Sequence, residues 1–91
     1  MARVGRNVRV TGRVQGVFFR AWTRQQADEL GVSGWARNCR DGSVEAHLAG
    51  EDRAVVQLIE RLHDGPPSAV VSKVEVSDAE PEPGDRFEVR Q

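Results

Sequence analysis

The chain has 91 residues, of which 38% are hydrophobic and 30% are charged, and its formal net charge is −1. This length fits one domain with a modest core, and this balance of residues excludes a disordered chain. The near-neutral charge gives no general attraction to nucleic acid or to an anionic membrane. A single cysteine, Cys39, excludes an intrachain disulfide and a cysteine metal cluster. No apolar stretch follows Met1, and no apolar run in the sequence is long enough to span a membrane, so we expect a cytoplasmic protein. A monomer is the default expectation.

The first third of the sequence predicts a strand, a loop and a helix. Valines at alternate positions of residues 4–10 predict a half-buried strand that ends at the following Thr-Gly pair. The segment Gly12–Phe18 contains two glycines and predicts a loop. A helix is expected to follow from about Phe19 or Arg20 to Leu30, because its apolar residues share one stripe and the next residue is glycine, a common C-terminal stop.

The middle of the sequence predicts a β-hairpin and a second helix. Residues 32–40 and 43–49 read as two strands around Asp41-Gly42, and this dipeptide between two such runs is a strong hairpin signal. Negative charge at residues 51–52 suits the start of a helix. Apolar residues then recur at i, i+3, i+4 and i+7, and residues 65–67, Gly-Pro-Pro, end this helix.

The last quarter predicts two strands joined by a surface loop. Valines mark a strand over residues 70–76, residues 77–85 are polar and rich in proline, and residues 87–89 alternate in a short final strand. The complete order is typical of an α+β, ferredoxin-like βαββαβ sandwich. We therefore expect an antiparallel four- to five-stranded sheet with two helices on one face, forming a single domain over residues 1–91.

The loop Gly12–Phe18 is the first candidate binding site. A loop that leads into a helix presents free backbone N–H groups and the positive end of the helix dipole, which together bind anions. Arg20 would add a bidentate contact, although most such loops are plain turns and most such arginines are solvated. The helix dipole disfavours an arginine in the first turn, which is easier to understand if an anion is normally bound. The glycine spacing fits neither a P-loop nor a dinucleotide fingerprint.

Asn38 is the second candidate, because it lies late in a predicted strand, three residues before the hairpin turn. Its amide offers a hydrogen-bond donor and an acceptor and does not change charge near neutral pH. Such a side chain can orient a water molecule, although it cannot act as a strong base. The alternative is a residue beside a turn that bonds only to its own backbone.

Three segments together resemble the signature of the acylphosphatase family. They are Gly12 to Arg20, which matches Gly-x-Val-Gln-Gly-Val-x-Phe-Arg, Gly34 to Asn38, which matches Gly-Trp-x-x-Asn, and Asp41 to Glu45, which matches Asp-Gly-x-Val-Glu. The likeness continues through residues 65–69 and 87–90, so it covers nearly the whole chain. The resemblance implies the ferredoxin-like fold and the hydrolysis of acyl phosphates to a carboxylate and inorganic phosphate.

The resemblance also implies a role for each motif residue. Arg20 matches the substrate-binding arginine, and Asn38 matches the asparagine that positions the attacking water. The phosphate cradle of the family matches seven consecutive residues: Gly12, Arg13, Val14, Gln15, Gly16, Val17 and Phe18. The implied partners are a small acyl phosphate as substrate and inorganic phosphate as product, without a metal, another cofactor, nucleic acid or a membrane.

Other chemically active residues are not assigned to the site. His47 alternates with apolar neighbours and is expected on the opposite face of its strand, while His63 lies at a helix end that suits a cationic side chain. Nothing near Cys39 in sequence resembles a Cys–His pairing, so Cys39 is expected to be a spectator. Trp22 and Trp35 are expected to serve packing.

Two other functions stay open at this point. The same element order serves RNA-recognition domains, but these stack bases on aromatic residues, and this chain is only 5% aromatic and lacks tyrosine. Acylphosphatase-like domains also form parts of larger maturation enzymes that process carbamoyl phosphate. Because this domain begins directly at Met1, we expect an independent enzyme.

Overall fold

The computed structural model of the protein describes residues 2–91. Its elements in chain order are β1 (Arg3–Arg13), α1 (Phe19–Leu30), β2 (Ser33–Asn38), β3 (Val44–Glu51), α2 (Asp52–Asp64), β4 (Val70–Ala79) and β5 (Phe87–Arg90). The strands form one sheet in the order β4-β1-β3-β2-β5. This arrangement confirms the α+β, ferredoxin-like fold that the sequence predicts. None of the helices in this part of the chain is both long enough and apolar enough to cross a membrane.

The sheet is mixed, so the prediction of a purely antiparallel sheet was wrong. β1 pairs antiparallel with β3 and β4, and β2 pairs antiparallel with β3. β5, however, pairs parallel with β2. The reason is that β4 and β2 run in opposite directions on the two sides of the sheet. The chain leaves β4, crosses to the far edge and runs back as β5, which gives it the direction of β2.

Two strands are longer than the sequence predicted. β1 continues past Thr11 through Gly12 to Arg13, after a register shift in its pairing with β4. β4 continues to Ala79, which pairs with Gly5, although residues 77–79 were predicted as loop. The side-chain pattern does not reveal these extensions because the strand ladder is made by backbone groups, which every non-proline residue carries.

Both helices pack on one face of the sheet and enclose the core. Helix α1 ends as predicted, because Gly31 adopts a left-handed conformation with φ 73° and its N–H bonds back to the last turn. The core combines apolar residues of the sheet and of the helices: Val8, Val10, Ala36, Val44, Ala46, Leu48, Phe19, Ala27, Val55, Leu58 and Leu62. This packing places the start of α1 beside the end of β2, and residues of both ends line one cleft.

The opposite face of the sheet is polar, and His47 lies on it as predicted. His47 is nevertheless only 1% exposed, because the segment after β4 covers it. Its Nδ1 lies 2.8 Å from Oδ1 of Asn7, and its Nε2 accepts a hydrogen bond of 3.0 Å from the backbone N–H of Glu82. Trp35 stacks beside its ring at a centroid distance of 6.3 Å. His47 therefore fastens the covering segment to the sheet.

The hairpin turn between β2 and β3 is stabilised by Asp41. The Ser43 hydroxyl and backbone N–H both donate to Asp41 Oδ1, at 2.5 and 2.9 Å. These hydrogen bonds hold the pKa of the Asp41 carboxyl below its ordinary value, and the bond from the hydroxyl has the largest effect. The positive charge of Arg9 lowers this pKa further. A carboxyl with a lowered folded-state pKa stabilises the fold above its unfolded pKa and loses that contribution as the pH falls through the folded value.

We therefore expect Asp41→Asn to make the protein less stable than the wild type at neutral pH, with the two curves converging in acid. The free energy of unfolding, measured by urea titration from neutral pH to about pH 2, checks this expectation. Ser43→Ala removes the largest cause of the shift and should reproduce most of the change. Identical acid dependence in all three proteins would contradict the role of this turn.

Candidate active site

A cleft of about 350 Å³ opens where the start of α1 meets the end of β2 and strand β5. Its lining comes from the loop before α1, the first helical turn and the two strands: Val14, Gly16, Phe18, Phe19, Arg20, Ala21, Asn38 and Val89. The structure thus brings together Arg20 and Asn38, the two residues that the sequence singled out as catalytic. They are separated by 18 positions in sequence and meet because α1 packs across β2.

The loop is held in place by buried valines and by one glutamine. Val14 and Val17 are buried in the core on either side of the exposed Gly16. Gly16 has φ 74°, a left-handed conformation that glycine adopts without steric cost. The Gln15 amide reaches the β2–β3 hairpin, where its Nε2 donates to the carbonyl oxygens of Cys39 at 2.7 Å and Ser43 at 2.9 Å. Gln15 therefore fixes the loop relative to the strand end that carries Asn38.

We expect Gln15→Ala to loosen this connection. The loss of two hydrogen bonds should lower the free energy of unfolding by about 1–2 kcal/mol. It should also raise the KM for an acyl phosphate, the substrate class that the family resemblance implies, because the loop no longer keeps one geometry. Urea unfolding and steady-state kinetics provide the two measurements. Gln25→Ala, at an exposed position of α1, is the matched control. Equal behaviour of the two variants would show that the Gln15 contacts are not needed.

The start of α1 has the backbone geometry that favours an anion. Phe18 is the N-cap residue, and no side chain of residues 2–91 caps the helix. The first turn carries no acidic residue. The first N–H groups of a helix have no intrahelical partner, so those of this turn remain available at the positive end of the dipole. The backbone alone therefore favours a negatively charged ligand here.

Arg20 adds a charged side chain to this site. One of its guanidinium nitrogens donates to the carbonyl oxygen of Arg90 at 2.5 Å, which ties the side chain to the end of β5. Within the described part of the chain, no carboxylate forms an ion pair with Arg20. Since a guanidinium has five N–H donors, most of them are left for a ligand. The positive charge is thus oriented but not neutralised.

Asn38 faces the cleft from the last position of β2. Successive side chains of a strand alternate, so Asn38 shares the helix-facing side of β2 with the buried Ala36. Its Oδ1 is buried, and no group of residues 2–91 donates a hydrogen bond to it. Buried oxygens without a partner are uncommon in folded proteins and call for an explanation. Its place in the cleft lining makes this oxygen available to a ligand or a bound water.

The predicted seven-residue cradle divides into two groups. Val14, Gly16 and Phe18 line the cleft, whereas the other four residues lie outside its lining: Gly12, Arg13, Gln15 and Val17. Gly12 and Arg13 belong to the end of β1, where a Cβ on Gly12 would collide with the backbone oxygen of Val70. Gly12 is therefore required by strand packing. The cleft also involves groups that the sequence did not predict, namely Phe19, Ala21, Val89 and the Arg90 carbonyl. Nothing local in the sequence indicates that β5 lies beside β2.

The residues that were set aside lie outside this cleft. His47 and Trp35 pack on the other face of the sheet, and Cys39 contributes its backbone to the hairpin and the Gln15 contact. The outer face of the central strands β1 and β3 carries Asn7, Arg9, Glu45 and His47 but no phenylalanine, tyrosine or tryptophan. Within residues 2–91, no group of three or more histidine, cysteine or acidic side chains is arranged to hold a metal ion.

Comparison with known proteins assigns the family. The profile of the acylphosphatase family matches residues 6–89. An acylphosphatase of Mesorhizobium japonicum is 61% identical over 72 residues, covering 79% of this chain and 77% of that protein. One of Rubrobacter xylanophilus is 54% identical over 92 residues, covering 98% of this chain and 84% of that protein. The structure of an acylphosphatase from Coxiella burnetii superimposes with a TM-score of 0.93 at 41% identity, covering 97% of this chain and 93% of that one. The chain therefore belongs to the acylphosphatase family.

Proposed function

We propose that this cleft hydrolyses the carboxyl–phosphate anhydride of acyl phosphates, releasing a carboxylate and inorganic phosphate. The observation that carries the proposal is one cleft lined by an arginine at a helix start and by a buried asparagine oxygen, neither of which has a charged or hydrogen-bonding side-chain partner among the described residues. The first feature fits a phosphate, and the second fits the water that attacks it. Membership of the acylphosphatase family supports the same reaction.

The phosphoryl group would lie against the loop and the first turn of α1. The free N–H groups there and the remaining N–H groups of Arg20 are all donors, which suits the three oxygens of a phosphate dianion. The bond from Arg20 to the Arg90 carbonyl holds the guanidinium before the substrate arrives, so little of its geometry has to be fixed on binding. In phosphoryl transfer, charge spreads over these equatorial oxygens in the transition state, where fixed donors stabilise it.

Asn38 would hold the attacking water. Its Oδ1 accepts a hydrogen bond from the water and directs the water oxygen toward phosphorus, opposite the leaving carboxylate. A neutral amide cannot take up the proton of that water. We infer that a phosphoryl oxygen of the substrate takes it. As the bond from the water oxygen to phosphorus forms, the bond from phosphorus to the acyl oxygen breaks, and the electron pair leaves with the carboxylate.

The few polar groups of the cleft are sufficient for the hydrolysis of acyl phosphates. An acyl phosphate is already activated because a carboxylate is a good leaving group, so the protein needs mainly to position the reactants and to stabilise charge. Positioning alone can lower a barrier by up to ~7–11 kcal/mol in favourable cases. One chain supplies the whole lining of the cleft, so we propose that the active form is a monomer. We also propose the cytoplasmic location that the sequence leads us to expect.

The test is hydrolysis of benzoyl phosphate in water labelled with heavy oxygen, with a chelator present. We expect turnover with the label in inorganic phosphate and none in benzoate, because the water attacks phosphorus. Label in benzoate would mean attack on the carbonyl carbon and would overturn the assigned role of Asn38. A folded protein that does not hydrolyse benzoyl phosphate would refute the proposal. Turnover of carbamoyl phosphate far above that of benzoyl phosphate would instead favour a domain of the carbamoyl-processing class.

A further inference from the structure

Phe18 combines two unusual features at the mouth of the cleft. Its side chain is 84% exposed, the most exposed of the large hydrophobic residues that the structure describes. It is also the only residue other than glycine with a positive φ in residues 2–91, with φ 60° and ψ 25°. Neither feature helps the protein to fold, since an exposed ring gains nothing from burial and an L-residue is strained in the left-handed region. Strained residues of this kind are concentrated at ligand sites.

The other walls of the cleft are largely apolar as well. Ala21 contributes from the first turn of α1, Val89 from β5 and Val14 from the loop, whereas Arg20 and Asn38 are the polar side chains of the lining. A phosphate group needs N–H donors and positive charge, and apolar walls do nothing for it. These walls suit the other half of an acyl phosphate, the acyl group on the carbonyl carbon.

We propose that the Phe18 ring is the contact surface for the acyl group and gives the enzyme a preference for acyl phosphates with apolar or aromatic acyl chains. The inference rests on the proposed function and adds a specificity-determining residue to it. The ring becomes buried only when a substrate with a large apolar acyl group is bound, so its hydrophobic contribution goes to those substrates. A small acyl group, as in acetyl phosphate, reaches the same phosphate donors but covers little of the ring.

The experiment compares kcat/KM for benzoyl phosphate with kcat/KM for acetyl phosphate in four proteins. They are the wild type, Phe18→Gly, Phe18→Tyr and the control Val56→Ala, which truncates a 48% exposed valine on α2, away from the cleft. Glycine accepts the left-handed conformation without strain, so Phe18→Gly removes the ring and keeps the turn. Tyrosine keeps the aromatic surface.

We expect the benzoyl-to-acetyl ratio to fall about tenfold in Phe18→Gly, in line with the discrimination that one apolar contact provides. Phe18→Tyr and Val56→Ala should keep the wild-type ratio. Because each ratio is compared with that of the wild type, the different intrinsic reactivities of the two substrates cancel.

A loss of both activities by the same factor in Phe18→Gly would show that the ring only shapes the loop, and the inference would be overturned. An unchanged ratio with unchanged activities would overturn it too. If the wild type hydrolyses neither substrate, the proposed function itself fails, so the two failures are distinguishable. Circular dichroism on each variant confirms that the comparison is made between folded proteins.

Discussion

Arg20→Gln is expected to reduce kcat/KM for benzoyl phosphate by about 10³-fold or more, as is found when an arginine that stabilises phosphoryl transfer is removed. Glutamine keeps a polar side chain of moderate length but loses the positive charge and the guanidinium fork. Among residues 2–91, no carboxylate forms an ion pair with Arg20, so removing its charge leaves no carboxylate there uncompensated. We therefore expect the loss of activity without a comparable loss of stability.

The kinetic constants and the free energy of unfolding of this variant give the two readings. A rise in KM together with a fall in kcat would show that Arg20 binds the substrate and stabilises the transition state. The matched control is Arg24→Gln, at an exposed arginine one turn further along α1, which should stay within a few-fold of the wild type. If both arginine variants lose similar activity, the effect comes from general charge near the helix start, and the assignment of Arg20 fails.

Asn38→Ala is expected to lower kcat by about 10²–10³-fold, the range seen when one oriented polar group is removed from a catalytic site. Its effect on stability should be the reverse of that of most buried polar substitutions. The Oδ1 of Asn38 has no donor among residues 2–91, so alanine removes a buried oxygen that the fold does not satisfy. We expect the free energy of unfolding to stay the same or to increase.

Asn7 provides the contrast for this prediction. Its Oδ1 bonds to His47 on the other face of the sheet, and Asn7 is not part of the cleft lining. Asn7→Ala should therefore lower the free energy of unfolding by about 1 kcal/mol and leave kcat close to that of the wild type. Urea titrations and initial rates on the two alanine variants show whether Asn7 contributes to stability and Asn38 to catalysis. A stable but fully active Asn38→Ala would remove the water-positioning role.

Much of the fold could be predicted because its signals are local. The hairpin at Asp41-Gly42 and the end of α1 at Gly31 follow from turn and cap conformations that depend on a few adjacent residues. Helix α2 runs over Asp52–Asp64 because its apolar spacing and the following Gly-Pro-Pro are also local. Strand ends were less accurate, since β4 runs to Ala79 through backbone pairing that leaves no trace in side-chain polarity.

The candidate site was predictable in its polar residues and not in its apolar ones. Arg20 and Asn38 could be predicted as candidates because each belongs to a contiguous sequence motif, one beside a glycine-containing loop and the other beside a hairpin. Val89 and the Arg90 carbonyl were missed because they reach the cleft only through the pairing of β5 with β2. This pairing joins segments more than fifty positions apart, and no short-range pattern specifies which edge a last strand will take.

The sequence by itself determined the order of the elements, the family motifs and the identity of the two polar site residues, because each depends on local conformation or residue type. Tertiary packing decided what makes these residues a site. It placed α1 across the end of β2 so that Arg20 and Asn38 line one cleft. Within residues 2–91, it left the buried Oδ1 of Asn38 without a hydrogen-bond donor and Arg20 without a carboxylate partner. It also left the Phe18 ring in solvent at the mouth of the cleft, at a helix start where that residue has a left-handed conformation.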